Sequence, residues 1–189
     1  MNTFAEGIGF LACLIWVGGI SYPAQTSHGT PKPKSHLMKV FSKAVPLILK
    51  KTSVPIRIPT EVPGLDREDD DLYAIVQSAD ETGYTIILGA TPDCEGQHVC
   101  SYGTLIGTTR PFNEIADDGL TDRRKKRVIL WNGISGYFYD SVCGAYCDDS
   151  LIVWTEGKYR YIIGLKAEKQ SNMIKVANSA IRAGTGRWK

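Results

Sequence analysis

Histidine is scarce in this chain: the 189 residues hold three, His28, His36 and His98. The first two lie in or beside a Pro- and Lys-rich stretch and the third between two cysteines, so none stands near a candidate nucleophile to serve as its base. Gly133-Ile134-Ser135-Gly136 lacks the Gly-x-Ser-x-Gly spacing of a nucleophile elbow. A glycine-rich phosphate loop is missing, and so is a metal-binding helix. There is no Cys-x-x-Cys motif, which argues against a redox-active dithiol. With 22 basic and 20 acidic residues the net charge is only +2, too mild to imply a nucleic-acid partner. No apolar run reaches the roughly 20 residues that cross a bilayer comfortably, and no internal repeat is evident. These absences leave no expected catalytic residue, metal ligand or cofactor.

Acid is also absent from one long stretch. Between Glu6 and Glu61 every charge is positive: Lys32, Lys34, Lys39, Lys43, Lys50, Lys51 and Arg57. The plainer reading has these charges neutralised by the acidic cluster that follows at residues 66–71. Contact of the lysines with anionic lipid or polymer is the sharper one. Read as a calcium loop from Asp66, the acidic cluster has Asp71 at the sixth position, where glycine is needed, and Gln77 at the twelfth, so it reads as a solvated loop. The basic run Arg123-Arg124-Lys125-Lys126-Arg127 has Asp117, Asp118 and Asp122 beside it. It reads as a solvated strand entry, with anionic contact again as the alternative.

What is present begins with residues 8–20, apolar and uncharged. They fit the core of a secretory signal with cleavage near Ala24, and residues 1–24 are read as that signal or as a short membrane anchor. No Lys or Arg precedes the run, against the positive-inside tendency. Residues 25–35, with Pro31 and Pro33 among lysines, are a linker; residues 36–184 form a single domain, and residues 185–189 a basic tail.

Four of the five cysteines form two close pairs, Cys94 with Cys100 and Cys143 with Cys147. Thiols pair where the compartment is oxidising, so the pairs and the apolar start argue together for export to the periplasm or beyond. Loop-closure entropy does not select the local pairing, because cross-pairing closes longer loops. Reach selects it: a turn such as Cys143-Gly144-Ala145-Tyr146-Cys147 brings its ends within disulfide distance. A four-thiolate zinc site is the rival reading, although neither spacing is that of a zinc ribbon.

The spacing predicts a short amphipathic helix over residues 37–44 that turns at Pro46, then an extended segment at a sheet edge over residues 54–63, whose three prolines exclude helix and central strand. Strands follow at 72–78, 84–90, 102–109, 127–131 and 136–140. A final hairpin, residues 151–166, is expected to turn at Glu156-Gly157, setting Trp154 opposite Tyr159, Ile152 opposite Tyr161 and Arg160 opposite Val153. A C-terminal amphipathic helix is expected over residues 170–183, capped by Gly184. The fold class is therefore α+β: a curled antiparallel meander with a C-terminal helix and a short N-terminal helix.

Three stretches carry a resemblance: residues 52–59; Gly133-Ile134-Ser135-Gly136-Tyr137-Phe138 leading to Cys143-Gly144-Ala145-Tyr146-Cys147; and residues 154–166 with Val176-Ala177-Asn178-Ser179-Ala180-Ile181. Together they resemble a family of uncharacterised exported bacterial proteins. The final hairpin and helix also resemble unknown-function domains of bacterial envelope and anti-sigma-type proteins. The resemblance implies export, the same curled sheet with a terminal helix, and no assigned activity.

The expectation is thus an exported, disulfide-stapled binding or structural protein of the cell envelope, with an envelope hydrolase or cell-wall enzyme as the competing class. Tyr137, Tyr139, Tyr146, Tyr159 and Arg160 are the candidate binding surface, since half-buried phenols can line a groove. The partner would be an envelope component or small ligand, not nucleic acid.

Overall fold

The computed structural model describes residues 36–65, 72–111 and 124–184. Residues 1–24, expected to be a signal or anchor, the expected linker with Lys32 and Lys34, the acidic cluster at 66–71, residues 112–123 and residues 185–189 lie outside the described residues. Two short helices, α1 (His36–Phe41) and α2 (Ala44–Leu49), precede the strands β1 (Tyr73–Asp80), β2 (Gly83–Gly89), β3 (Ser101–Thr108), β4 (Lys125–Ile129), β5 (Ser135–Tyr139), β6 (Asp149–Glu156) and β7 (Tyr159–Lys166), and α3 (Gln170–Ala183) ends the domain. All seven strands join one antiparallel sheet, which does not close on itself, in the order β1-β2-β3-β7-β6-β5-β4. It is two meanders, β1 to β3 and β4 to β7, sewn together by the β3–β7 ladder. The α+β class expected from the pattern of elements is the one observed.

One face of the sheet carries the main core. Tyr84, Ile86, Leu88, Leu105, Phe138, Ile152, Trp154, Tyr161 and Ile163 alternate inward from five strands, and α1, α2 and α3 bring Leu37, Phe41, Ile48, Met173, Val176 and Ala180 onto them. The period-2 pattern of the strands and the helical spacing of α3 are both satisfied by that one layer. Gly184 caps α3 with φ +55°, and its N–H donates to the Ala180 carbonyl. The β4–β5 turn is tied to the same helix: the Trp131 N–H donates to Asn178 Oδ1, and the Arg182 guanidinium lies 5.3 Å from the Trp131 ring centre.

Three local expectations are corrected. Pro46 does not end a helix; it sits third in α2, where its missing N–H would have no intrahelical partner, so α1 and α2 are two helices broken at Ser42-Lys43. The last hairpin turns at Gly157-Lys158, two positions out of the expected register, which sets Trp154 opposite Tyr161, Ile152 opposite Ile163, Glu156 opposite Tyr159 and Arg160 opposite Thr155. Gly157 supplies the positive φ, +59°, that the first turn position needs, and Glu156 is retained in the strand by its partners. A shift of two keeps every side chain on its face, which is why the apolar pattern alone did not detect it.

The third correction concerns residues 54–62, which are extended but are not a sheet edge. Val54, Ile56, Ile58 and Val62 are all buried in the core. The prolines exclude ladder pairing but not burial, and Pro55 and Pro59 have no N–H to satisfy. The remaining polar groups find side chains. The Arg57 N–H donates to Tyr84 Oη at 2.9 Å, Tyr161 Oη donates to the Pro55 carbonyl at 3.0 Å, and the Thr60 N–H donates to Ser179 Oγ at 3.1 Å. The Arg57 side chain forms a two-point contact with Glu156, Nε to Oε1 at 2.9 Å and Nη2 to Oε2 at 2.7 Å, while Trp154 Nε1 donates to Oε1 as well. Gly107 opens the space for this network: a Cβ there would lie 2.5 Å from the Tyr84 ring.

Burial would raise the Glu156 pKa, but hydrogen bonds from Arg57 and Trp154 outweigh it and hold the carboxyl below the ordinary glutamate range. A depressed carboxyl contributes stability that is present above the unfolded-state pKa, about 4.3, and lost as pH falls through the folded value. Arg57→Met is expected to cost about 2 kcal/mol, less than the 3–5 of a fully buried pair because the two side chains retain 16% and 21% exposure. Denaturant melts between pH 7 and pH 3 should show a steeper acid loss for the wild type than for Arg57→Met; parallel pH profiles would refute the pair's role.

Ser150 Oγ is fully buried on β6 and has no hydrogen-bond partner among the described residues. An unmet buried hydroxyl costs about 1–3 kcal/mol, so Ser150→Ala should raise stability by about 1 kcal/mol in an equilibrium melt. A loss of stability would mean that the hydroxyl has a partner such as an ordered water.

Candidate binding face

The register defines the second face of the sheet residue by residue. One row runs Arg127, Tyr137, Val153, Ile162, Ile106, Thr85 and Ser78 from β4 to β1; the next runs Lys125, Tyr139, Leu151, Gly164, Thr104, Ile87 and Ile75. Tyr139, Val153 and Ile162 form a small second core there, with Ile106 and Leu151 packed around it. Lys125 crosses the aromatic end, with Nζ 4.0 Å from the Tyr137 ring centre and 6.0 Å from that of Tyr139. This is a cation–π cover over an otherwise apolar edge. Arg127 Nη2 donates to Ser135 Oγ at 3.1 Å across the β4–β5 pair.

The two ends of this face differ in chemistry. At the end where β2 stops and β3 and β6 begin lie both cysteine loops. Cys94 and Cys100 are bonded with 5.8 Å between α-carbons, and Cys143 and Cys147 with 4.0 Å. The second loop is short enough that its two cysteines face each other as an isolated antiparallel bridge, with the Gly144 N–H donating to the Tyr146 carbonyl. Bonding as disulfides removes the thiolates a zinc site would need. Cys94 is buried against Gly89, and Gly96 lies over Ile87, so the first loop folds onto the sheet. His98 stacks on Tyr146 with ring centres 6.3 Å apart, and Lys166 Nζ donates to the His98 carbonyl. The two disulfide loops therefore touch each other.

The other end, at the β1–β2 turn, is polar. Thr82 donates to Asp80 Oδ1 through its N–H at 2.7 Å and its hydroxyl at 2.5 Å, closing a two-residue turn, so the pair of strands runs further than the expected 72–78 and 84–90 toward this end. These hydrogen bonds, side chain first, hold the Asp80 carboxyl below its usual range, with a smaller contribution from Arg110. A shallow open pocket of about 130 Å³ lies here, lined by Ser78, Asp80, Thr82, Gly83, Tyr84, Thr85, Ile106, Thr108 and Arg110.

The five residues expected to form one surface do not converge. Tyr137 and Tyr139 share the second face, but Tyr139 is almost fully covered. Tyr146 is 76% exposed on the second disulfide loop. Tyr159 packs against the main core on the opposite face, with Lys158 over its ring. Arg160 lies at the polar end, where Nη1 donates to the Arg110 carbonyl at 2.7 Å. Sequence reasoning missed Asp80, Thr82 and Arg110, because nothing short of the β1–β2–β3 register places a threonine turn beside an arginine 28 residues later. Lys39, Lys43, Lys50 and Lys51 are exposed on and beside α1 and α2.

Comparison with protein-family models, with curated proteins and with solved structures returns no match. Among the described residues, no helix is long and apolar enough to cross a membrane, and no group of three or more His, Cys, Asp or Glu side chains is disposed to hold a metal ion.

Each disulfide should contribute about 2 kcal/mol by closing its short loop. Peptide mapping without reduction is expected to recover two separate linked peptides, 94 with 100 and 143 with 147, and Cys94→Ser with Cys100→Ser should lower the melting temperature without unfolding the sheet. Linked peptides joining the two regions would contradict the geometry.

Proposed function

We propose that this domain works in an oxidising compartment, as an exported binding or structural module of the cell envelope. The observation that carries the proposal is the pair of local disulfides at one end of the sheet. Their loops hold chain that packs little apolar surface of its own, so the bonds substitute for core there, and such bonds persist only outside a reducing cytosol. The apolar run at residues 8–20 supports delivery to that compartment, by a cleaved signal or by a retained anchor.

Binding is favoured over hydrolysis by where the candidate catalytic groups lie. His98 sits in the first disulfide loop, whereas Ser135 begins β5 at the far end of the sheet, bonded to Arg127. A nucleophile and its base must come within hydrogen-bond reach, and the length of β5 separates these two. The exposed lysines of α1 and α2 lie on helices that cover the main core, away from the second face. They are suited to contact with anionic lipid or polymer through one side of the domain while the other stays accessible.

Cell fractionation with intact-mass measurement tests the reading. The protein is expected outside the cytosol, with its mass lowered by the hydrogens of two disulfides and, where the signal is cleaved, by residues 1–24. A cytosolic protein in which Cys94, Cys100, Cys143 and Cys147 are all free thiols would overturn it.

A further inference from the structure

We propose that the open edge of β4 is a docking site for an extended acidic segment of another protein, taken up as an added antiparallel strand. The inference rests on the binding reading and names its partner; cell fractionation tests the compartment separately, so either can fail alone.

The backbone of β4 sets the ladder. Among the described residues this strand ends the sheet and pairs with β5 alone. The Leu130 N–H donates to the Ile134 carbonyl at 2.8 Å, and the Asp140 N–H donates to the Arg124 carbonyl at 3.4 Å, both in the register of the β4–β5 pair. Backbone direction alternates along an antiparallel strand, so Lys126 and Val128 face β5 as Arg124 and Leu130 do. Lys125, Arg127 and Ile129 therefore turn their N–H and C=O groups to the open edge. Donors and acceptors at that spacing match another extended backbone.

The side chains select what can pair. Lys125, Lys126 and Arg127 are exposed in succession, and Ile129 beyond them is 60% exposed. Lys125, Arg127 and Ile129 lie on the second face, Lys126 and the buried Val128 on the other. Lys125 rests on the Tyr137 ring and Arg127 donates to Ser135, contacts that hold both cations beside the edge. Among the described residues none of the three cations forms an ion pair with a carboxylate. Opposite charges and apolar pairs across a ladder are favourable. An antiparallel partner therefore begins with apolar residues, opposite Ile129 and Val128, and continues with acids opposite Arg127, Lys126 and Lys125.

Other occupants use less of this edge. Anionic lipid or polymer would meet the cations but would leave the ladder groups to water. A second copy is opposed by the same charge, since β4 paired with β4 about Arg127 sets cation against cation. Edge charge of one sign discourages pairing in general, and what it leaves welcome is acid. The strand at the other end of the sheet, β1, has no such run of cations and packs against α1 and α2.

Amide hydrogen exchange on the full chain, with and without the capped peptide Thr-Val-Val-Glu-Glu-Glu-Thr, tests the edge. In the protein alone the amides of Lys125, Arg127 and Ile129 are expected to exchange fast, and saturating peptide should slow them about tenfold. N-methylation of the glutamate opposite Arg127 keeps the charge but removes a ladder donor, and the reversed sequence sets its acids beside Ile129; each should bind several-fold more weakly. Arg127→Gln should weaken binding about fivefold, the upper end for a cross-strand charge pair, whereas Lys43→Gln beside α2 should leave it within about twofold. Equal binding of the N-methylated or reversed peptide would mean charge attraction alone and overturn the proposal. So would slow exchange of the three amides without peptide, whether constant, which means an edge already covered, or rising with protein concentration, which assigns it to a second copy. Unchanged affinity in Arg127→Gln, with the fold verified by its melting curve, would refute it as well.

Discussion

The whole domain depends on how a proline-bearing strand of chain is kept against a sheet it cannot join. Residues 54–62 lie over the core face, filling the layer between the α1–α2 pair and α3. Buried backbone must be satisfied somewhere, and without a ladder each group needs a dedicated side chain. Tyr84, Tyr161 and Ser179 provide these from β2, β7 and α3, which ties the strap to both meanders and to the helix at once. The Arg57–Glu156 contact locks the register, because a two-point pairing is lost if the strap slides by one residue. Arg57 also lies 5.6 Å from the Tyr161 ring centre, and Tyr161 in turn stacks on Trp154 at 5.3 Å, so cation and aromatics form one continuous pile.

A sheet covered on one face has little apolar surface to hold its loops on the other. At the cysteine end the answer is covalent. The first loop is stapled and folded over Ile87, and the second is stapled and stacked against it through Tyr146 and His98. At the turn end the answer is polar, with hydrogen bonds between Asp80, Thr82, Thr108 and Arg110 closing the β1–β2 and β3 termini together. The two solutions respond to different conditions. Covalent loops hold until a reductant opens them, whereas hydrogen bonds between exposed groups compete with water.

The parts of the fold that were legible in sequence are those governed by short-range rules. Strand alternation from Tyr84 and from Leu151, helical spacing from Met173 and the Gly184 cap all point to the observed elements, and the local cysteine pairing follows from the reach of short loops. The failures have a common cause in contacts between distant residues. Glu156 is a plausible turn residue until Arg57, 99 positions earlier, holds it in the strand. Residues 54–62 look like an edge until four partners from other elements satisfy them. The placement of the candidate surface shows the same limit: tyrosine count identifies aromatic residues but not the face they occupy, and Tyr159 and Tyr137 fall on opposite faces of the sheet.

The same long-range logic sorts the cations, which is where composition was least informative. Lys125 and Arg127 lie on β4, a strand with one unpaired edge, and charge on such an edge discourages pairing with another chain. Lys125 covers the Tyr137 and Tyr139 rings, and Arg127 bridges to Ser135. Lys166 fastens the first disulfide loop, Arg182 covers Trp131, and Arg57 is matched to Glu156. Each of these charges has structural work that accounts for its position. Arg110 and Arg160 follow the same pattern: Arg110 donates to Thr82 and lies 3.6 Å from the Asp80 carboxylate, and Arg160 donates to the Arg110 carbonyl, so both fasten the chain that leaves β3. In a chain whose net charge is only +2, each of these cations takes its place from a partner on another strand, loop or helix rather than from its neighbours in sequence.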